Sequence, residues 1–123
     1  MSQINTQKVF KVMVQLIDSI SKIPGLFHVV MSSHDVKISM QIPKKVFTIK
    51  KNKEYLVYLD SKPISNEEKF DFYMQGKVIS LYKNDKFTIN ISVGGLIVSI
   101  EMFEHDFNFK IGDNVYLAIA LIS

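Results

Sequence analysis

FDFYMQGKVISLYKNDKFTINISVGGLIVSIEM, residues 70–102, contains three alternating runs separated by two turn signals. Gly94-Gly95 stands between two runs of alternating apolar and polar residues, and Gly-Gly suits a two-residue hairpin turn with positive φ at both centres. Closing that turn sets Val93 opposite Leu96, Ile91 opposite Val98, Ile89 opposite Ile100 and Phe87 opposite Met102. These pairs are all apolar and share one face, while Asn90 with Ser99 and Thr88 with Glu101 share the other. A one-residue slip would scatter the apolar set over both faces, so the pattern supports its own register. Upstream, Asn84-Asp85 reads as a second turn, placing Val78 opposite Ile91, Tyr82 opposite Phe87 and Gly76 opposite Val93. Lys83 would then face Lys86, a like-charge pair that argues for a slightly longer loop. The stretch is a three-strand meander with one core face.

The rest of the chain repeats the period of two. In residues 8–21, Phe10, Val12, Val14 and Leu16 share one face, and Lys11, Gln15 and Ser19 the other. The run is long for one strand, which predicts a bend or bulge near Asp18. Pro24-Gly25 is a turn, residues 26–32 a second strand, and Ser33-His34-Asp35 the next turn. Val36, Ile38, Met40 and Ile42 form a half-buried third strand stopped by Pro43. A basic loop with a short helical turn follows over residues 43–53, then a fourth strand over 54–60 and a polar connection over 61–69. Beyond the meander, residues 103–113 connect through an aromatic cluster of Phe103, Phe107 and Phe109. The last strand then turns Val115, Leu117, Ile119 and Leu121 inward. Short strands, turn signals and no convincing helix predict an all-β fold: an OB-like barrel of about eight strands, in one domain over residues 1–123.

A hydrophobic content of 47% against 22% charged residues places the chain among folded proteins. It contains no apolar run of membrane-spanning length and no secretion-signal pattern at its N-terminus, so a cytoplasmic protein is expected. The absence of cysteine excludes disulfides, thiolate metal sites and a cysteine nucleophile. All 15 basic residues are lysine. Without arginine the chain lacks the bidentate fork that reads guanine edges and grips phosphates. Lysines crowd positions 44, 45, 50, 51 and 53, whereas acids collect at Glu67, Glu68 and Asp71 and again at Glu101, Glu104 and Asp106. Such a division suits docking onto a large charged partner, or simply a solvated surface.

No catalytic constellation emerges. His28, His34 and His105 lack metal spacing, and no serine sits in a nucleophile-elbow sequence. Glu67, Glu68 and Asp71 belong to a polar loop, and no phosphate-binding glycine motif is present. No catalytic residue, metal or cofactor is expected. Tyr55, Tyr58, Tyr73 and Tyr116 could stack bases in a single-strand-binding barrel, but most aromatics, including Phe10, Phe72, Tyr82 and Phe87, fall on the apolar phase and read as core. Tyr73 and Lys77 lie on the phase opposite Phe72, Met74 and Val78, hence outward beside Gln75. Gly76 among them would allow another protein's backbone to approach closely.

Three blocks carry a resemblance: residues 70–78 (FDFYMQGKV), 91–97 (ISVGGLI) and 114–117 (NVYL). In order and rough spacing they resemble the C-terminal half of subunit 8 of DNA-directed RNA polymerase, a family of eukaryotic nuclear enzymes and some archaea. The resemblance implies a barrel bound on the outer side of the largest subunit, near the pore region and away from the catalytic magnesium. It implies a non-catalytic role in assembly; direct contact with nucleic acid is not expected. Eukaryotic members carry longer loops where this chain has residues 61–69 and 83–86, so a short archaeal-type member is expected. The interface is placed at Tyr73, Gln75, Gly76, Lys77, Gly94 and Gly95, with residues 44–53 next. The competing expectation is a free barrel that binds single-stranded nucleic acid.

Overall fold

Alternation becomes eight strands: β1 (Lys8–Ser19), β2 (Leu26–Ser32), β3 (Val36–Pro43), β4 (Glu54–Asp60), β5 (Phe72–Lys83), β6 (Phe87–Val93), β7 (Leu96–Met102) and β8 (Asn114–Leu121). The computed structural model describes residues 7–19, 24–46, 49–65, 69–103 and 109–122. Neighbours run in the order β1-β2-β3-β7-β6-β5-β8-β4, and β4 pairs with β1 to close an antiparallel barrel. The expected all-β, eight-stranded barrel is borne out, as is the short helical turn after Pro43, a 3-10 turn over Lys44–Val46. The first strand is described to Ser19; the expected positions 20 and 21, Phe107 of the aromatic cluster, and Glu67, Glu68, Glu104, His105 and Asp106 lie outside the described residues.

The β6–β7 ladder has the expected register, with Val93 opposite Leu96, Ile91 opposite Val98, Ile89 opposite Ile100 and Phe87 opposite Met102. Gly94 and Gly95 take φ of 57° and 91°, the backbone a two-residue hairpin turn with this twist demands. The β5–β6 ladder begins as expected, with Val78 opposite Ile91, then shifts by one residue between Val78 and Ser80. Tyr82 therefore faces Thr88 and Lys83 faces Phe87, leaving a three-residue loop over 84–86. The expected Tyr82–Phe87 pair is thus corrected: the bulge at Ile79 turns Leu81 inward, and Tyr82 is 58% exposed. The longer loop that the like-charged lysines called for is present, and Lys86 instead meets Glu101 at 2.9 Å.

β1 and β5 play equivalent parts. Each is 12 residues long, and each serves one neighbour with its first half and another with its second. β1 pairs with β4 over residues 8–13 and with β2 over 13–19; β5 pairs with β8 over 72–77 and with β6 over 77–83. A barrel closes only if its strands are staggered, and a bulge lets a strand change neighbour without breaking its inward face. In β1 the bulge falls between Val14 and Leu16, three residues before the expected bend near Asp18, and Val14 bonds Asn52 and Lys53 of the approaching chain. Leu16 consequently points outward and Ile17 packs on the core. Leu121, expected to face inward, is exposed, and so is Phe103 of the expected aromatic cluster, whereas Phe109 of that cluster is buried.

The inner faces fuse into one core, from Val12, Val14 and Val29 through Ile38, Met40 and Leu59 to Ile89, Ile100 and Ile119, and no polar residue among those described is buried. Outside the strands, Ile49 between β3 and β4 and Phe109 between β7 and β8 add apolar side chains to the core.

Gly76 is the tightest point of the wall. A Cβ there would lie 2.6 Å from the carbonyl oxygen of Ser92, 2.7 Å from Ile91 Cγ2 and 2.8 Å from Val93 Cγ2. The space its missing side chain leaves is filled by the protein's own β6, not held open for a partner's backbone. Gly94 is the contrasting case: a Cβ there meets nothing within 4 Å, and the need for glycine is purely conformational. Gly76→Ala should lower unfolding stability by ~2–3 kcal/mol through overpacking. Gly94→Val should cost ~1–2 kcal/mol through backbone strain, with Gly94→Asn nearly neutral. Chemical denaturation of the three variants checks this; a Gly76→Ala midpoint equal to wild type would contradict the close β5–β6 approach.

Candidate partner interface

β4 and β5 both pair antiparallel with β8 and so run parallel to each other. Parallel strands need a crossover, and residues 61–71 supply it. Its last part lies on the outer surface of the barrel. Tyr58 of β4 and Tyr73 of β5 are both register partners of Ala118 in β8. The Phe70 ring meets Tyr58 edge-on at 5.2 Å between centroids and Tyr73 at 6.2 Å. Ala118 is on the outer phase yet fully buried beneath this layer. The Tyr73 hydroxyl accepts the Ile64 N–H at 2.7 Å, and Ile64 is itself buried. Asp71 completes the anchor: its N–H donates to the Ile119 carbonyl at 2.8 Å, and its Oδ2 accepts the Leu121 N–H at 2.8 Å.

Tyr73 therefore lies on the outward phase, as expected, but its ring and hydroxyl are occupied in holding the crossover. The other five expected interface residues come together. Gln75, Gly76, Lys77, Gly94 and Gly95 line a single open depression of about 460 Å³, with Ile79, Ser92 and Asn114. The two exposed glycines at the hairpin tip leave backbone near its surface, Gly76 is packed against β6 behind it, and Gln75, Lys77 and Ile79 provide exposed polar, cationic and apolar side chains. The groove is thus suited to contacting a protein surface through mixed main-chain and side-chain groups.

Lys44, Lys45, Lys50, Lys51 and Lys53 are exposed, and none makes an ion pair among the described residues. Lys44 rests its ammonium 5.0 Å from the centroid of the Phe27 ring. Three of the four candidate stacking tyrosines are already engaged within the fold. Tyr55 is buried with its hydroxyl accepting the Lys50 N–H at 2.8 Å, while Tyr58 and Tyr73 are covered by Phe70. Among the described residues, no group of three metal-ligating side chains converges. No helix among them is long and apolar enough to cross a membrane.

The family model for the G subunit of DNA-directed RNA polymerase matches residues 9–122. The chain belongs to that family. The match spans nearly the whole barrel, including β1 to β4, where the sequence blocks shared with subunit 8 gave no support of their own. Membership in this family bears out the polymerase-subunit resemblance drawn from residues 70–78, 91–97 and 114–117. No curated protein matches the chain in sequence.

Within this member of the polymerase G-subunit family, Phe70, Asp71 and Tyr73 act in the fold of their own crossover. Sequence reasoning misses that layer because its centre, Ala118, carries a signal only once β4, β8 and β5 are known to be adjacent. Ala118→Leu should push Phe70 off its two tyrosines and cost ~1–3 kcal/mol in stability. Denaturant unfolding together with near-ultraviolet circular dichroism reads both effects; unchanged aromatic signals and midpoint would contradict the layered packing.

Proposed function

We propose that this chain is a non-catalytic subunit of DNA-directed RNA polymerase that docks on the largest subunit and helps hold it in its assembled form. The convergence of Gln75, Gly76, Lys77, Gly94 and Gly95 on one groove supports this reading, because residues from two separate sequence blocks meet at one exposed place. Tyr73 does not line the groove; it is engaged in the adjoining crossover layer. The short connections at residues 61–71 and 84–86 fit an archaeal-type member, and a cytoplasmic location follows from that placement. Catalysis in this reading belongs to the polymerase as a whole.

A second reading has one observation in its favour: the exposed, unpaired lysines at positions 44, 45, 50, 51 and 53 could attract a phosphate backbone. The covered tyrosines and the absence of arginine count against a dedicated reader of single strands.

The double variant Gln75→Ala/Lys77→Glu separates the readings. Both side chains are exposed, so its unfolding midpoint should match wild type, while co-purification with the largest subunit from the native host falls by about tenfold or more, equivalent to ~1.4 kcal/mol. The isolated wild-type chain should bind single-stranded DNA weakly at physiological salt. Undiminished co-purification places the interface elsewhere. Tight binding that weakens steeply with salt favours the nucleic-acid reading.

A further inference from the structure

The barrel wall has a notch. β5 pairs with β8 from Phe72 onward, but its ladder with β6 begins only at Lys77. On the far side, β3 pairs with β2 as far as Pro43, but its ladder with β7 stops at Met40. The β6–β7 hairpin is simply shorter than its flanking strands, and the Gly94-Gly95 turn forms the floor of the gap. Gln41 extends its side chain across one lip, where its Oε1 accepts the Ile97 N–H at 3.0 Å. The other lip, residues 72–76 of β5, has a strand neighbour on one edge alone.

Behind the lips the inner faces show. Ile42, Phe72, Met74, Val93, Leu96 and Val98 line an apolar pit of about 370 Å³. Phe72, Met74, Val93 and Leu96 are on the inward phase of their strands, yet they remain only partly buried. A cavity of ~150 Å³ is enough to hold benzene, so this pit has room for a large apolar side chain. The edge beside it presents main-chain groups. Val78 donates to Asp113 and accepts from Gly112, which turns its peptide groups toward β8. Antiparallel alternation then turns the N–H and C=O of Tyr73 and Gln75 the other way, into the notch. An exposed strand edge bordering an apolar pit is the arrangement that captures an extended segment, with main-chain bonds along the edge and a side chain in the pocket.

Charge narrows the occupant. Lys44 and Lys45 follow Pro43 at one lip, and Lys77 stands beside the hairpin tip. None of the three makes an ion pair among the described residues. Against these three cations stands one described carboxylate at the lip, Asp71, which accepts the Leu121 N–H and keeps its charge. The surround therefore favours an anionic visitor.

We propose that an extended segment of another polymerase subunit, with one large apolar residue flanked by acidic ones, adds as a strand along residues 72–76 of β5 and seats its apolar side chain in the pit. This rests on the polymerase-docking reading and adds to it the form and chemistry of the docked segment.

The test uses the full chain assembled into polymerase from its host. A photo-crosslinking amino acid replaces Met74 or Leu96 in the pit, Gln75 in the adjoining groove, or Tyr82 on the far surface as control. Crosslinked peptides are then identified by mass spectrometry. Pit positions should capture one acidic, apolar-centred segment of another subunit, and Tyr82 should not capture it. Leu96→Lys should reduce incorporation by about tenfold or more while the unfolding midpoint stays near wild type; should that variant fail to fold, the crosslinking arm decides alone. Capture from position 75 but not from 74 or 96 would overturn the strand-in-notch proposal and leave the docking reading standing. No incorporation of any form would sink the docking reading itself. Capture of nucleic acid, or of this chain's own residues, in the pit would also overturn the proposal.

Discussion

Closure of the barrel depends on how near β5 comes to β6 at Gly76. The Ser92 carbonyl and the side chains of Ile91 and Val93 stand where any larger residue would place its Cβ. That contact lets β5 leave β8 and join β6 within one residue, at Lys77, and so brings the two halves of the sheet together. Without it the wall would open at this corner, and the inner face shared by Val78, Ile89 and Ile91 would lose its continuity. β1 performs the matching change of neighbour on the other side, and there a bulge after Val14 is sufficient.

The same corner organises the outer surface. Because β5 extends beyond the β6–β7 hairpin, the Gly94-Gly95 tip ends short, and a groove and a notch form on either side of it. Phe70, Asp71 and Tyr73 tie the described part of the crossover to the neighbouring strands, beside the lip of the notch. The proposed interface thereby sits on regular strands supported from behind, an arrangement that holds side chains more precisely than loops do. The exposed lysines of residues 44–53 lie toward the same end, and in the proposed docking they would supply a long-range attraction that steers association more than it sets affinity.

Much of this is readable from residue order alone. The β6–β7 register follows from four apolar pairs and a Gly-Gly turn, since any other register would expose the core. Strands β2 and β4 are bounded by turn residues, and the structure places them at Leu26–Ser32 and Glu54–Asp60. The bulges are harder, because a period of two says nothing about where an extra residue enters; simple alternation consequently puts Tyr82 and Leu16 on the wrong face. Gly76 misleads for a similar reason: a glycine reports that space is needed, not on which side. Of the candidate site, the grouping of Gln75, Lys77 and the hairpin glycines is legible in the sequence. The notch is not, because it arises from unequal strand lengths in a sheet order that a single sequence does not disclose.

Hydrogen–deuterium exchange of the free chain against the same chain in assembled polymerase addresses docking through this corner. Amides of residues 73–77 and 92–96 should exchange more slowly in the assembly, while those on the opposite wall, around Val30 and Ser39, stay unchanged. Slowed exchange confined to residues 50–53, with the β5 edge and hairpin tip as open as in the free chain, would contradict it.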